Sequence, residues 1–150
     1  MIQGIDVSHY QGHIEWVRVA QAGSKFVYVK ASQGTTIQDA KASEYMDGAR
    51  AAGLYVGLYH YFTPTGDAGA QYKNFLAVAE KCGGLNGMLV PALDVEGDSH
   101  NTLGDMTGFP GWTNWKLWQY SDKGSVRGIN GYVNLDAFNG DEDDLKRLII

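Results

Sequence analysis

Strand-like and helix-like runs alternate along residues 4–96, and that alternation constrains the fold more than any other feature. Residues 4–8 (GIDVS), 26–31 (FVYVKA), 54–62 (LYVGLYHYF) and 88–96 (MLVPALDVE) are short, apolar and rich in β-branched or aromatic side chains, the composition of strands. Residues 14–22, 39–52 and 67–81 between them read as helices. In the last of these, Tyr72, Phe75, Leu76 and Ala79 follow the i, i+3, i+4, i+7 rule behind a capping Asp67. Gly23, Gly53 and Gly83 close the three runs. Strands joined through helices pair in parallel with the helices outside, and the run up to Leu93 is apolar enough to predict burial on both faces. A closed barrel and a doubly wound open sheet both satisfy the pattern. In either, the active end is the one where the strands finish, and there the chain carries Asp6 and Ser8, Lys30 and Ser32, His60, Asp94 and Glu96.

The pattern fails at 97–114, a glycine-rich stretch with no period of either kind, unusually long for a loop in a compact domain. Strand signals return at 116–121 and 131–136, and 141–150 reads as a short terminal helix. A length of 150 residues predicts one domain over 1–150. The net charge of −5 lacks the basic stripe that nucleic acid or anionic lipid requires, and no apolar stretch is long enough to span a bilayer. The expectation is therefore no nucleic-acid partner and no membrane insertion. A single cysteine, Cys82, excludes an internal disulfide and a Cys-only zinc site. The first residues lack the basic and apolar regions of a signal peptide, which predicts cytoplasmic synthesis or export by a route the sequence does not display.

The sharpest chemical feature is Asp94-Val95-Glu96. Residues i and i+2 of a strand face the same way, roughly 6–7 Å apart along its axis. Two carboxylates aimed into one pocket repel each other, so one should hold its proton to higher pH than usual. Hydrolysis of a glycosidic bond needs that division, with an acid for the leaving oxygen and an anion for the developing positive charge or the incoming water. The tripeptide also fits a solvated strand end or half of a divalent-metal site. Asp6 fits a turn cap, or a third carboxylate if the sheet closes enough to bring the first and fourth strands to one mouth. Tyr59, His60, Tyr61 and Phe62 stand beside that mouth, and Trp112, Trp115, Trp118 and Tyr120 add a second aromatic group. Sugar C–H faces stack on such rings, which favours a glycan ligand; packing of the rings into the core is the competing reading. His60 fits a proton shuttle or a hydrogen-bonded structural residue. Other chemistries lack their parts: there is no G-x-S-x-G, no phosphate-binding loop, no G-x-G-x-x-G and no H-E-x-x-H.

Several blocks, in order, resemble the glycoside hydrolase family 25 lysozymes: Gly4-Ile5-Asp6-Val7-Ser8 with Gln11-Gly12, Ile14 and Trp16; Val29-Lys30-Ala31-Ser32-Gln33-Gly34-Thr35; Gly53-Leu54 with Gly57; Tyr59-His60-Tyr61-Phe62; Leu93-Asp94-Val95-Glu96; Trp118-Gln119-Tyr120-Ser121; and Phe138-Asn139-Gly140. The match covers about residues 3–96 and 112–140. It implies an α/β fold, an irregular TIM-like (β/α) barrel. The implied reaction is hydrolysis of the β-1,4 bond between N-acetylmuramic acid and N-acetylglucosamine in peptidoglycan, with no metal or organic cofactor. Carried over by position, Glu96 resembles the acid/base, Asp94 its partner carboxylate and Asp6 the carboxylate at the pocket floor. Lys30, Tyr59, His60, Phe62, Trp118, Tyr120 and Asn134 resemble substrate-binding positions.

Two departures lower the negative charge of the pocket. The chain reads Asn134-Leu135-Asp136 where the family's common pattern is Asp-Leu-Asn, and Gln33 stands where many members have Glu. The chain is also shorter than family domains, with the missing stretch placed between Glu96 and Trp112. That implies a shortened barrel of about six mostly parallel strands, closed by pairing the strand that ends at Glu96 with 116–121. An unpaired edge would instead invite a second copy, so a monomer is expected, with a dimer through an open edge as the alternative. The expected setting is the bacterial cell wall, as for phage or prophage lysozymes. A non-catalytic domain that binds peptidoglycan or chitooligosaccharide competes with the hydrolase reading, and an assembly subunit reusing the fold is a third.

Overall fold

In the computed structural model, which describes residues 1–96 and 115–150, seven strands form one curled sheet. The elements run β1 (Ile2–Val7), α1 (Trp16–Gln21), β2 (Phe26–Gln33), β3 (Ile37–Gln38), α2 (Ala42–Ala51), β4 (Tyr55–Tyr61), α3 (Ala68–Lys81), β5 (Leu89–Asp94), β6 (Leu117–Gly124), β7 (Val133–Phe138) and α4 (Glu142–Lys146), with a 3-10 turn at His9–Gln11. The aperiodic stretch 97–114, and with it the expectation of a shortened connection there, lies outside the described residues. Each strand and helix read from residues 1–96 is present, with ends moved by no more than three residues. β5 stops at Asp94, so Glu96 follows the strand rather than ending it.

The strand order is β5-β4-β2-β1-β7-β6, with β3 attached to β2. β1, β2, β4 and β5 are parallel neighbours, as the alternation requires, while β7 runs antiparallel to β1 and β6 antiparallel to β7. The expected closure is corrected by this order. β5 and β6 stand at opposite ends of it and share no ladder among the described residues, so the sheet is a half-barrel rather than a closed (β/α) barrel. An antiparallel return needs no crossover helix, which lets two short strands complete the sheet after 115 without further strand–helix units. The outer edge of β5 is covered at its start by the end of the chain. Val90 N–H donates to the Leu148 carbonyl at 2.7 Å, and Ile150 N–H to the Met88 carbonyl at 2.8 Å. Beyond Val90 the edge strand turns outward, with Val90 40% and Leu93 62% exposed, so the expected burial of this run on both faces does not hold.

Strand alternation sorts the side chains into two cores. Ile5, Val7, Val27, Val29, Val56 and Leu58 face the helices and meet Trp16, Val19, Tyr45, Met46, Phe75 and Val78. Burying side chains of this size stabilises the fold by roughly 1.5–3 kcal/mol each. Asp67 caps α3 by accepting from Ala70 N–H at 2.7 Å. On the inner face Phe26, Tyr28, Tyr59, Leu89, Phe138 and Leu145 fill the lower half of the curl. Gly57 makes this filling possible. It pairs with Tyr28 across β2 and β4, and a Cβ there would lie 2.5 Å from the Tyr28 ring. With no side chain at 57, the ring crosses β4 and its hydroxyl donates to the Val90 carbonyl on β5 at 2.9 Å. The apolar plug thus ends below Asp6, and the polar residues gather above it.

Candidate active site

Asp6 stands where β1 meets β7, directly opposite Asn134. Its Oδ1 accepts from Asn134 Nδ2 at 2.9 Å and its Oδ2 from Gln119 Nε2 at 2.6 Å. Burial raises the pKa of this carboxyl; the amides of Gln119 and Asn134 pull it back down, and the charge of Glu96 adds to the rise. Two antiparallel ladders therefore deliver two amide donors to one carboxylate, an arrangement the four parallel strands alone could not make.

Asp6, Tyr28, Tyr59, Asp94, Gln119 and Asp136 line a cavity of about 170 Å³ on the inner face. Asp94 reaches it from the end of β5. Its pKa is pushed up to about 7 by burial first, then by Glu96 and Asp6, against the opposing charge of Lys30. Glu96 lies two residues on, at the edge of a larger open cavity of about 500 Å³ shared with Gln119, Tyr120, Ser121, Asp122 and Asn134. Gln119 is common to both cavities and separates them. The Asp94 and Glu96 carboxyls thus form an unequal pair, one turned inward and one at the opening.

Lys30 is 8% exposed and lies on β2. Its Nζ donates to Gln33 Oε1 at 2.7 Å and sits 4.9 Å from the centre of the Tyr61 ring. Burial lowers its pKa, while Asp39, Asp94, Glu96 and Asp6 act to keep its charge. Gln33, an amide where the family pattern has an acid, gives Lys30 a neutral acceptor, so its charge is left to act on the carboxylates. Burial and the charges of Asp6 and Asp94 also push the Tyr59 hydroxyl far above its ordinary value.

Other nominated residues fall elsewhere. His60 alternates with Tyr59 and Tyr61 and faces α3. Its Nδ1 lies 2.8 Å from Ser32 Oγ and its Nε2 3.0 Å from Gln71 Oε1. Because Gln71 Oε1 also accepts from Thr63 N–H, Nε2 is the donor to Gln71, and Nδ1 accepts from the Ser32 hydroxyl. Both ring nitrogens are engaged in structure, which removes the shuttle reading. Phe62 joins His60, Tyr72, Phe75 and Leu93 around a separate apolar cavity of about 470 Å³ beside α3. Trp118 and Tyr120 are 55% and 41% exposed and alternate with the inward Gln119. The Tyr120 hydroxyl donates to Gln3 Oε1 at 2.7 Å, on the opposite side of the sheet from Asp6, although the residue also borders the cavity at Glu96. Among the described residues no group of three or more His, Cys, Asp or Glu is arranged to hold a metal ion, and no helix is long and apolar enough to cross a membrane.

Besides Tyr28, two polar residues of the cavity, Gln119 and Asp136, are not nominated from the sequence. Both sit on strands whose inner face is fixed only by the antiparallel pairing Gln119↔Asp136 and Asp6↔Asn134. Period-two spacing would have put Leu117, Gln119 and Ser121 together on one face. Nothing local says which face is inward.

Residues 5–108 match the model of the Glycosyl hydrolases family 25. Lysozyme M1 of Streptomyces globisporus is 28% identical over 208 aligned positions, covering 93% of this chain and 68% of that protein. Since the alignment has more positions than the chain has residues, that relative carries segments this chain lacks. The N,O-diacetylmuramidase of Chalaropsis sp is 36% identical over 107 residues, covering 67% of this chain and 49% of that protein. Among solved structures, the bacterial lysozyme from Streptomyces coelicolor superposes with a TM-score of 0.67 at 25% identity, covering 99% of this chain and 96% of that one. The muramidase from Acremonium alcalophilum gives 0.79 at 21% identity, covering 99% and 98%. The latter likeness is one of fold.

Proposed function

Because the chain belongs to glycosyl hydrolase family 25, and is therefore a glycoside hydrolase, we propose that it cuts the β-1,4 bond between N-acetylmuramic acid and N-acetylglucosamine in bacterial peptidoglycan. The observation that carries this reading is the convergence of Asp6, Asp94 and Glu96, from opposite sides of the curl, on adjoining cavities. Asp94 is pushed up to about 7 by burial first and then by the charges of Glu96 and Asp6, so this carboxyl holds its proton to higher pH than an ordinary aspartate.

Glu96, at the open side, acts as the acid and gives a proton to the glycosidic oxygen as the bond to C1 breaks. Asp94 orients the acetamido group of the muramic acid, whose carbonyl oxygen closes on C1. Water then attacks C1, the bond from C1 to the acetamido oxygen breaks, and Glu96 takes a proton from the attacking water, which restores the acid for the next cycle. Asp6, pinned by Gln119 and Asn134, supplies fixed negative charge beneath the developing cation. Lys30, Tyr59 and Asn134 contribute the polar walls.

The test is clearance of purified cell walls by wild type and Glu96→Gln at equal folded concentration. The amide keeps the shape and removes the acid, so hydrolysis falls by on the order of 10²-fold or more while the glycan still binds. Equal clearance by the two would remove Glu96 from the mechanism. A second reading, a domain that binds peptidoglycan or chitooligosaccharide without cutting it, draws on β5 and β6 sharing no ladder among the described residues, so that the described sheet is a half-barrel. Binding by wild type without clearance at any pH would favour it.

A further inference from the structure

We infer that Asp136 is a positioning residue for the reaction proposed above, a carboxylic acid at the cavity floor that donates its proton to Asp6, keeps Asp6 the anion of the two, and disables the site when it ionises. The inference rests on the hydrolase reading of the same cavity. Asp136 lies mid-strand in β7, 7% exposed, and lines the cavity with Asp6 and Asp94. Among the described residues, its Oδ2 is the buried side-chain oxygen or nitrogen without a hydrogen-bond partner. A buried carboxylate with an empty oxygen is among the costlier things a fold can hold, whereas a carboxyl O–H needs one acceptor.

Asp6 is that acceptor. In the ladder Asn134 is directly across from Asp6, and Asp136 is two residues along β7, on the same face. Each Asp6 oxygen takes one amide donor and retains a lone pair for another. The two carboxyls act on each other in opposite senses: contact with Asp6 raises Asp136, and contact with Asp136 lowers Asp6. Two amides already favour the anion at Asp6, so the proton belongs on Asp136.

The surroundings keep it there. The titratable groups that line the cavity with Asp136 are Asp6 from β1, Tyr28 from β2, Tyr59 from β4 and Asp94 from β5, while its neighbour on β6, Gln119, is uncharged. Lys30 acts on Asp6 and Asp94 and is not among the groups acting on Asp136. Burial first, then the charge of Asp6, pushes Asp136 up to about 8. Above that pH a further anion appears in the floor, the O–H donor to Asp6 is lost, and repulsion displaces the Asp6 carboxylate.

Carboxyl-carbon NMR titration of the wild-type protein, with the pH profile of wall hydrolysis by wild type, Asp136→Asn and Asp136→Ala, tests this. The Asp136 resonance should titrate with a midpoint above 7, and the Asp6 resonance should move at that same midpoint. Asn at 136 still donates to Asp6 and cannot ionise, so the alkaline limb of kcat/KM moves up by about one pH unit or more. Ala offers Asp6 nothing, and kcat/KM drops on the order of tenfold across the profile. A midpoint below 6, or an alkaline limb unmoved by Asp136→Asn, overturns the inference. Should the variants fail to fold, the wild-type titration decides alone. Wild type that clears no wall at any pH would sink the hydrolase reading and the switch with it, while the titration would still say which carboxyl holds the proton.

Discussion

The two halves of the sheet do different work in the site. The parallel half, β1, β2, β4 and β5, is backed by helices through side chains such as Val27, Val29 and Leu58, all fully buried. It supplies Asp6, Lys30, Tyr59 and Asp94, the groups that carry or feel charge. The antiparallel half, β7 and β6, leaves Trp118 and Tyr120 in solvent and supplies Gln119 and Asn134, two neutral amides, together with the buried acid Asp136. Both halves reach both cores, through Val133 and Phe138 on β7 as through Val27 and Tyr28 on β2, so the contrast lies in chemistry: one half brings most of the charge and the other the neutral donors that tune it. Burial raises the pKa of Asp6, Asp94 and Asp136, and the hydrogen bonds from Gln119 and Asn134 pull Asp6 back down.

The largest expected effect lies in the first half. Asp94→Asn removes the inward member of the carboxyl pair, and wall hydrolysis should fall on the order of 10²-fold. The same variant reports on stability with a definite sign. The Asp94 pKa of about 7 lies above its value in an unfolded chain, about 3.9, so the folded state holds this proton more tightly. The stability of the protonated form is complete below about pH 4 and is lost as pH rises through about 7. Asp94→Asn cannot ionise, so its melting temperature should match wild type at pH 4 and exceed it at pH 8. An excess that was the same at both pH values would mean that the carboxyl is not buried as charge.

Next comes the wall itself. Gly57→Ala drives a Cβ into the Tyr28 ring and with it breaks the hydroxyl tie to β5, at about 1–3 kcal/mol for overpacking of this kind. The loss should appear in denaturant midpoints and be relieved in the double variant with Tyr28→Ala. No coupling between the two would show that the ring does not lie over position 57. In the other half, Gln119→Leu withdraws a donor from a buried carboxylate, worth about 1–3 kcal/mol, and should raise the Asp6 pKa further. An Asp6 titration unchanged in that variant would break the proposed division between the halves.

The halves also differ in how much the sequence disclosed. Residues 26–31, 54–62 and 67–81 carry their periodicity openly, because each packs against the next element in the chain and local pattern equals tertiary fate. Asp94 and Glu96 could be nominated for the same reason: they follow an apolar run, at the end where parallel strands collect their polar residues. The failures share one cause. The open end of the half-barrel, the exposure of Leu93, the outward turn of Trp118 and the inward turn of Gln119 all depend on which strand lies beside which. Pairing between residues more than a hundred apart, Asp6 with Asn134 or Gly4 with Asp136, leaves no mark in a single sequence. His60 was legible as polar at a strand end, but its direction was decided by a buried Gln71 on α3.

The smallest effect is expected at Tyr120, where the comparison can be sharpened. An aromatic strand beside carboxylates suggests stacking on a sugar, and the sequence invites that role for this ring. The structure gives the hydroxyl a partner on the far side of the sheet, Gln3 Oε1 at 2.7 Å, and leaves the ring 41% exposed at the edge of the cavity holding Glu96. Truncation to Ala therefore removes one exposed hydrogen bond and some rim surface, and exposed sites of this kind change stability by about 0.5 kcal/mol or less. Chitooligosaccharide affinity should fall by less than about threefold, since a ring tied away from the cleft contributes little of the stacking energy a sugar gains inside it. Tyr120→Phe, which drops only the Gln3 tie, should bind as wild type does. If Ala instead weakened binding tenfold while Phe strengthened it, the ring would be swinging from Gln3 into the cleft when glycan arrives. The antiparallel half would then be a recognition surface in its own right.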